Sequence, residues 1–171
     1  MESKLLIPYR EIQVRTQILG QGISNYFADA GGLNRVVVVL KGASMFAQEL
    51  LKWLPYDVEV SYITAKSYHG DSQRSTGKVD IFPQFFTKPD ENILIVEDIV
   101  DTGHTLQAVL DRIEQPGLTG TVALLNKPSR RVVPVPLDWY GFEIPDVFVY
   151  GHGLDLDEKH RGQPNVMQLC S

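Results

Sequence analysis

An α/β fold, with a twisted, mainly parallel sheet flanked by helices and a small hood at one end, is what this sequence predicts. Three observations carry the prediction. Two apolar runs, VVVVL at 36–40 and ILIV at 93–96, are continuous rather than alternating, as in strands buried on both faces. Each run is followed by a segment of helical spacing, which implies strand–helix units and a parallel sheet. The 171 residues suit one domain, so a single unit over 1–171 is expected.

The elements follow in order. Residues 11–27 place Ile12, Thr16, Leu19, Ile23 and Phe27 at near-helical spacing, with Gly20 and Gly22 weakening the middle. Ala30-Gly31-Gly32 breaks the chain before the strand at 36–40, which Lys41-Gly42 ends. Phe46, Ala47, Leu50, Leu51 and Leu54 predict a helix running back across the sheet and stopping near Pro55. Residues 58–65 read as a second strand with Val58, Val60 and Tyr62 on one face. No apolar period runs through 66–78, so a flexible loop is expected around 66–80. Residues 81–86 resume an apolar pattern and are expected to pair with the preceding strand. A buried strand at 92–96 precedes a helix at 106–113, which Gln115-Pro116-Gly117 ends. Further strands are expected at 121–125 and 147–150, and the turn-rich C-terminal region should supply most of the hood.

Composition narrows the function. Hydrophobic residues are 43% and charged residues 22%, an ordinary globular balance that opposes wholesale disorder. Sixteen basic against twenty-one acidic residues give a net charge of -5, which disfavours non-specific nucleic-acid binding. The longest apolar run, 36–40, is far too short to cross a bilayer. Cys170 is the only cysteine, so no internal disulfide or thiolate metal cage can form. With no secretory pattern at the first residues, a reducing cytoplasm is the expected compartment. GxxxxGK[ST] and GxGxxG are both missing, which disfavours a Walker-type ATPase and a dinucleotide oxidoreductase.

The chemistry concentrates in ILIVEDIVDTGHTL, residues 93–106. An apolar strand ends in two carboxylates, a short polar loop follows, and a helix begins. Ligands of open α/β sheets bind beyond the carboxyl ends of strands. Amides of this loop, with the hydroxyls of Thr102 and Thr105, form a cradle for phosphate. Glu97 and Asp98 are adjacent, so on a continuing strand they point opposite ways and suit the vicinal hydroxyls of a ribose. A plainer reading also stands: Asp101 or Thr102 caps the next helix, and Glu97 and Asp98 are solvated at the strand end.

Val96-Glu97-Asp98-Ile99-Val100-Asp101-Thr102-Gly103-His104-Thr105 resembles the phosphoribosyl pyrophosphate loop of type I phosphoribosyltransferases. Leu40-Lys41-Gly42, Ser67-Tyr68 with Ser75-Thr76-Gly77, Leu124-Leu125-Asn126-Lys127 and GFEIPDVFV at 141–149 resemble the hypoxanthine-guanine branch, as do Gly151, Gly153-Leu154-Asp155 and Arg161. They occur in the family's order and span most of the chain.

The resemblance implies a type I phosphoribosyltransferase fold and transfer of ribose 5-phosphate to hypoxanthine or guanine, giving IMP or GMP and pyrophosphate. It implies Mg²⁺ as cofactor and a homodimer or homotetramer. Asp101 is then the purine-facing catalytic carboxylate. Glu97 and Asp98 sit at the ribose hydroxyls and metal. Val100, Asp101, Thr102, Gly103, His104 and Thr105 hold the donor's 5-phosphate region. Lys41, Gly42 and Arg161 bind pyrophosphate, and the Leu40–Lys41 bond is often cis in relatives. Ser67 and Tyr68 belong to a closing lid, for which a plain hairpin tip is the alternative. Lys127 contacts the six-position oxygen, Phe148 stacks on the base, and Val149 presents backbone to its edge. Asp155 coordinates a second Mg²⁺ with the pyrophosphate, and backbone near it reads the purine's two-position.

In isolation, Lys41 and Lys127 would read as surface lysines and Phe148 as core. His104 stands where many relatives carry lysine, and His152 where they carry tyrosine or tryptophan. Two other functions remain open: a transferase of different base preference, such as xanthine, and a donor-binding regulatory protein.

Overall fold

The computed structural model describes residues 2–69, 75–114 and 116–170, with side chains described outside 67–78. Its central sheet has six strands in the order β4-β3-β2-β5-β6-β7, where β2 is Arg35–Leu40, β3 Glu59–His69, β4 Ser75–Phe82, β5 Ile93–Val100, β6 Thr119–Asn126 and β7 Trp139–Glu143. Pairings among β3, β2, β5, β6 and β7 are parallel, and only β4 runs antiparallel, against β3. Helices α1 (Tyr9–Ala28) and α2 (Ser44–Leu51) cover one face, and α3 (His104–Leu110) packs on the other.

The apolar runs explain why both faces are needed. In β2, Val36 and Val38 enter the core beneath α1 and α2, while Val37 and Val39 enter the core beneath α3. In β5, Leu94 and Val96 divide from Ile93 and Ile95 in the same way. A strand whose successive side chains point to opposite faces must be apolar throughout when helices cover both. The α1 positions read from periodicity, Ile12, Thr16, Leu19, Ile23 and Phe27, are all buried.

Several boundaries differ from the sequence expectation. β5 runs on through Glu97 and Asp98 to Val100, because β6 continues to pair with it as far as Val100↔Asn126. α3 ends at Leu110, and Arg112 and Ile113 close tight turns onto Val109 and Leu110 instead. The segment expected to be a loop around 66–80 carries strand on both sides: β3 extends to His69, and β4 starts at Ser75 and ends at Phe82. Residues 70–74 of that segment lie outside the described residues. Of the segment 81–86 expected to pair with the preceding strand, Ile81 and Phe82 do pair with Ala65 and Thr64 of β3, whereas Phe86, beyond the end of β4, is exposed.

The hood is a separate three-stranded antiparallel sheet. Its order is β1-β9-β8, with β1 at Ser3–Ile7, β8 at Val149–Tyr150 and β9 at Val166–Leu169. The C-terminal region supplies two strands, but β1 comes from the other end of the chain, with Ser3↔Leu169 in register. The half-polar segment SKLLI gave no local sign of this, since its partner lies more than a hundred and fifty residues away.

Candidate active site

The carboxyl ends of β2, β5 and β6 meet the hood, and nearly every residue singled out in the sequence lies at this junction. β5 delivers Glu97 into the interior, only 4% exposed, and Asp98 to a half-buried position. Solvation at a strand end is therefore excluded for Glu97. Its Oε1 is buried and accepts no hydrogen bond. Asp98 Oδ1 accepts from its neighbour's N–H, Ile99 N, at 2.9 Å.

Burial raises the Glu97 carboxyl well above the usual range, and the charge of Asp98 adds to the rise. Burial also pushes Asp98 up to about 6, against hydrogen bonds from the Ile99 and Asp98 amides. For an acid whose folded value is raised, the favourable contribution is complete below the unfolded value and is lost as pH rises through the folded one. Asp98 thus weakens the divalent-free protein between roughly pH 4 and pH 6. Asp98→Asn keeps the acceptor for Ile99 N. It should raise the melting temperature measured in chelator at pH 7.5 while changing little at pH 4. An equal effect at both pH values would contradict this account.

Beyond β5 the loop 101–103 turns into α3. The residue capping α3 is Gly103, at φ 93°, and no side chain caps the helix. The capping reading of Asp101 and Thr102 is thereby overturned. Among the described residues, the backbone N–H groups of Asp101, Thr102, Gly103, His104 and Thr105 donate to no other part of the chain. These amides surround a concavity lined by Glu97, Val100, Asp101, Thr102, Gly103 and Thr105. His104 occupies the first position of α3, outside that lining.

Two arginines missed in the sequence hold this loop. Arg131 donates to Asp101 O at 3.0 Å, Val100 O at 3.2 Å and Asn126 Oδ1 at 2.7 Å. Val132 N and Val133 N donate to Thr102 O, and a side chain at Gly103 would strike Val133 O. Arg130 places Nε 3.1 Å from Asp101 Oδ1. Its N–H is not directed at that oxygen, and Oδ1 accepts no hydrogen bond. Both arginines follow Lys127 in a short 3₁₀ turn, Pro128–Arg130, and nothing in their local spacing signalled a role.

A second group gathers where β2 ends. The Leu40–Lys41 bond is cis, as the resemblance implied. Gly42 packs so tightly that a Cβ there would overlap the Asp98 carboxylate, and a Cβ at Gly153 would overlap Gly42 O. Arg161 donates to Gly153 O at 2.9 Å and pairs with Asp155 Oδ1 at 2.8 Å. Lys41 and Arg161, from distant segments, both reach Glu158, at 3.4 Å each. Glu158 was not singled out in the sequence.

The third group comes from the end of β6 and from the hood. Lys127 is buried to 6% exposure, which removes the surface-lysine reading, and its Nζ lies 4.0 Å from Asp146 Oδ1. Phe148 is 55% exposed, so it is not a core residue, whereas Val149 beside it is buried. His152 is fully buried at φ 49°, with Nδ1 3.0 Å from Pro164 O and Nε2 unpartnered. Burial lowers its pKa, which favours the neutral ring. Ser67 and Tyr68 lie on β3, and their side chains fall outside the described residues.

A parallel sheet, an amide-lined loop at the carboxyl end of a strand and a hood above it define a nucleotide-handling α/β protein. The chain belongs to the phosphoribosyl transferase domain family, which it matches over residues 9–159. It is 37% identical to a hypoxanthine phosphoribosyltransferase of Haemophilus influenzae, covering 92% of this chain and 89% of the relative. A hypoxanthine-guanine phosphoribosyltransferase of Bacillus subtilis is also 37% identical, covering 96% and 91%. Among solved structures, a hypoxanthine-guanine phosphoribosyltransferase from Bacillus anthracis superposes with a TM-score of 0.86 at 32% identity, covering 98% of each chain. A hypoxanthine phosphoribosyltransferase from Trypanosoma cruzi, in complex with the product IMP, superposes with a TM-score of 0.83 at 31% identity, covering 98% and 94%.

Proposed function

We propose that this chain is a purine-salvage enzyme that transfers the 5-phosphoribosyl group of phosphoribosyl pyrophosphate to hypoxanthine or guanine, forming IMP or GMP and releasing pyrophosphate. The observation that carries the reading is Asp101. Its carboxylate borders a cradle of free amides, with one buried oxygen that accepts no hydrogen bond.

The amides of 101–105, with Thr102 and Thr105, hold the donor's 5-phosphate without needing a cationic side chain. Glu97 and Asp98 take the ribose hydroxyls. Lys41, the Gly42 backbone and Arg161 receive the diphosphate, whose charge grows as the C1–O bond breaks. The incoming ring nitrogen bonds to C1, and Asp101 takes the proton of the imidazole ring's other nitrogen through the exposed side of its carboxylate. Lys127 donates an N–H to the six-position oxygen, a hydrogen bond that adenine's amino group, itself a donor, cannot accept. Phe148 offers its exposed ring for stacking, and Val149 its backbone. Ser67 and Tyr68 are proposed to close over the reacting centre and exclude water.

The residues fit Mg²⁺. Glu97 Oε1 is buried and unpartnered, and Asp155 acts electrostatically on Asp98. Among the described residues no three metal-ligating side chains form a closed cage. That suits an ion held by one or two carboxylates and the substrate's own oxygens. When bound, Mg²⁺ neutralises charge on the diphosphate leaving group; Glu97 and Asp98 are the residues that would hold one ion, and Asp155 a second. A homodimer or homotetramer in the cytoplasm completes the proposal. No described helix is long and apolar enough to cross a membrane.

The test is a Mg²⁺-dependent assay with phosphoribosyl pyrophosphate and, separately, hypoxanthine, guanine, xanthine, adenine, uracil and orotate, quantifying nucleotide and pyrophosphate. IMP or GMP with stoichiometric pyrophosphate is expected. Donor binding without product from any base would point to a regulatory protein. Lys127→Ala should raise the KM for hypoxanthine by about 10- to 100-fold, as for a lost charge-assisted hydrogen bond, with the donor KM little changed. Weakened donor binding with normal purine affinity would reverse the assignment.

A further inference from the structure

We propose that Arg130 is a positioning residue for the transfer reaction, a strut that aims Asp101 at one edge of the base and ties it to Lys127 at the other. The proposal rests on the reading of Asp101 and Lys127 as the two groups that meet the purine. Four side chains form an alternating chain of charge. Arg130 Nε is 3.1 Å from Asp101 Oδ1, Arg130 Nη1 is 3.6 Å from Asp146 Oδ1, and Lys127 Nζ is 4.0 Å from that same Asp146 oxygen.

The geometry says more than an ordinary surface pair would. Arg130 is half exposed, so its pairs contribute little to stability. Its place, however, is fixed. The 3₁₀ turn that bears it is anchored from Lys127 N to Val100 O, and by Arg131 to the carbonyls of Val100 and Asp101. The turn and the phosphate loop therefore move as one body, and Arg130 is held beside Asp101.

The guanidinium lies against Asp101 Oδ1, which is buried and accepts no hydrogen bond. The Asp101 side chain is nevertheless partly exposed, so the rest of its carboxylate stays available to a purine N–H. Charge compensation at Oδ1 and proton acceptance at the accessible side of the carboxylate therefore do not compete. At the other end, Asp146 is shared between Arg130 and the buried Lys127. A 6-oxopurine that engages Lys127 leaves Asp146 to Arg130, and the strut persists across the bound base. Small errors in such alignment cost heavily in rate.

The experiment is a double-mutant cycle on the full chain. Arg130→Gln, Arg130→Lys, Asp101→Asn and Arg130→Gln with Asp101→Asn are assayed with hypoxanthine, and thermal melting checks folding. Arg130→Gln should lower kcat about tenfold and leave the donor KM within about twofold, and it should cost nothing further when Asp101 is already Asn. Arg130→Lys should recover most of the loss. An unchanged kcat in Arg130→Gln overturns the proposal, as does a loss undiminished in the Asp101→Asn background or a matching rise in donor KM. The two readings fail differently. Full turnover by Asp101→Asn removes the catalytic role of Asp101 and the strut with it, whereas an impaired Asp101→Asn beside a harmless Arg130→Gln removes the strut alone.

Discussion

Asp101→Asn should lower kcat by ~10²–10⁴-fold, the range that a positioned acid–base group contributes. The substitution is nearly isosteric and should leave the fold intact. Arg131 holds the loop through main-chain carbonyls of Val100 and Asp101, which the change does not touch. Nor does it remove a helix cap, since Gly103 occupies that position. What is lost is an anionic acceptor at the edge of the cradle. An amide oxygen can still accept a hydrogen bond, so purine binding should suffer less than turnover. Steady-state kinetics with both purines checks the split. Parental kcat with every accepted base would mean that the proton leaves by another route.

Gly42→Ala should be comparably damaging through a different cause. A Cβ at this position would overlap the Asp98 carboxylate, and Gly42 O already lies against Gly153. The turn cannot yield on one side without meeting the hood on the other. Either the Asp98 carboxylate is displaced or the Lys41–Gly42 backbone shifts against the Gly153 segment. In the second case Arg161 would follow, because it donates to Gly153 O. A displacement near 1 Å at a positioning element costs ~10²-fold. The expected result is a loss of that order in kcat/KM for phosphoribosyl pyrophosphate, with a smaller change in purine affinity. Donor kinetics indistinguishable from the parent would show that the turn is not part of the diphosphate site.

Much of the site was legible because its signals are local. The continuous apolar runs of β2 and β5 encode burial on both faces, and the passage into the polar DTG marks the strand end where ligands bind. The period of α1 located its buried face residue by residue. Lys127 and Phe148 were legible only by resemblance. Alone they read as a surface lysine and a core aromatic, and the structure inverts both, burying Lys127 and exposing Phe148.

What the sequence by itself determined, then, is the alternation of strand and helix, the face each buries and the loop that follows β5. These follow from side-chain period and turn chemistry, which act over a few residues. The tertiary structure alone decided the pairing of β1 with β9, the wedge of Gly42 between Asp98 and Gly153, and the reach of Arg130 to both Asp101 and Asp146. Each of these joins segments far apart in the chain. Strand register, backbone approach and the length of an arginine side chain set them, and none of these leaves a local pattern to read.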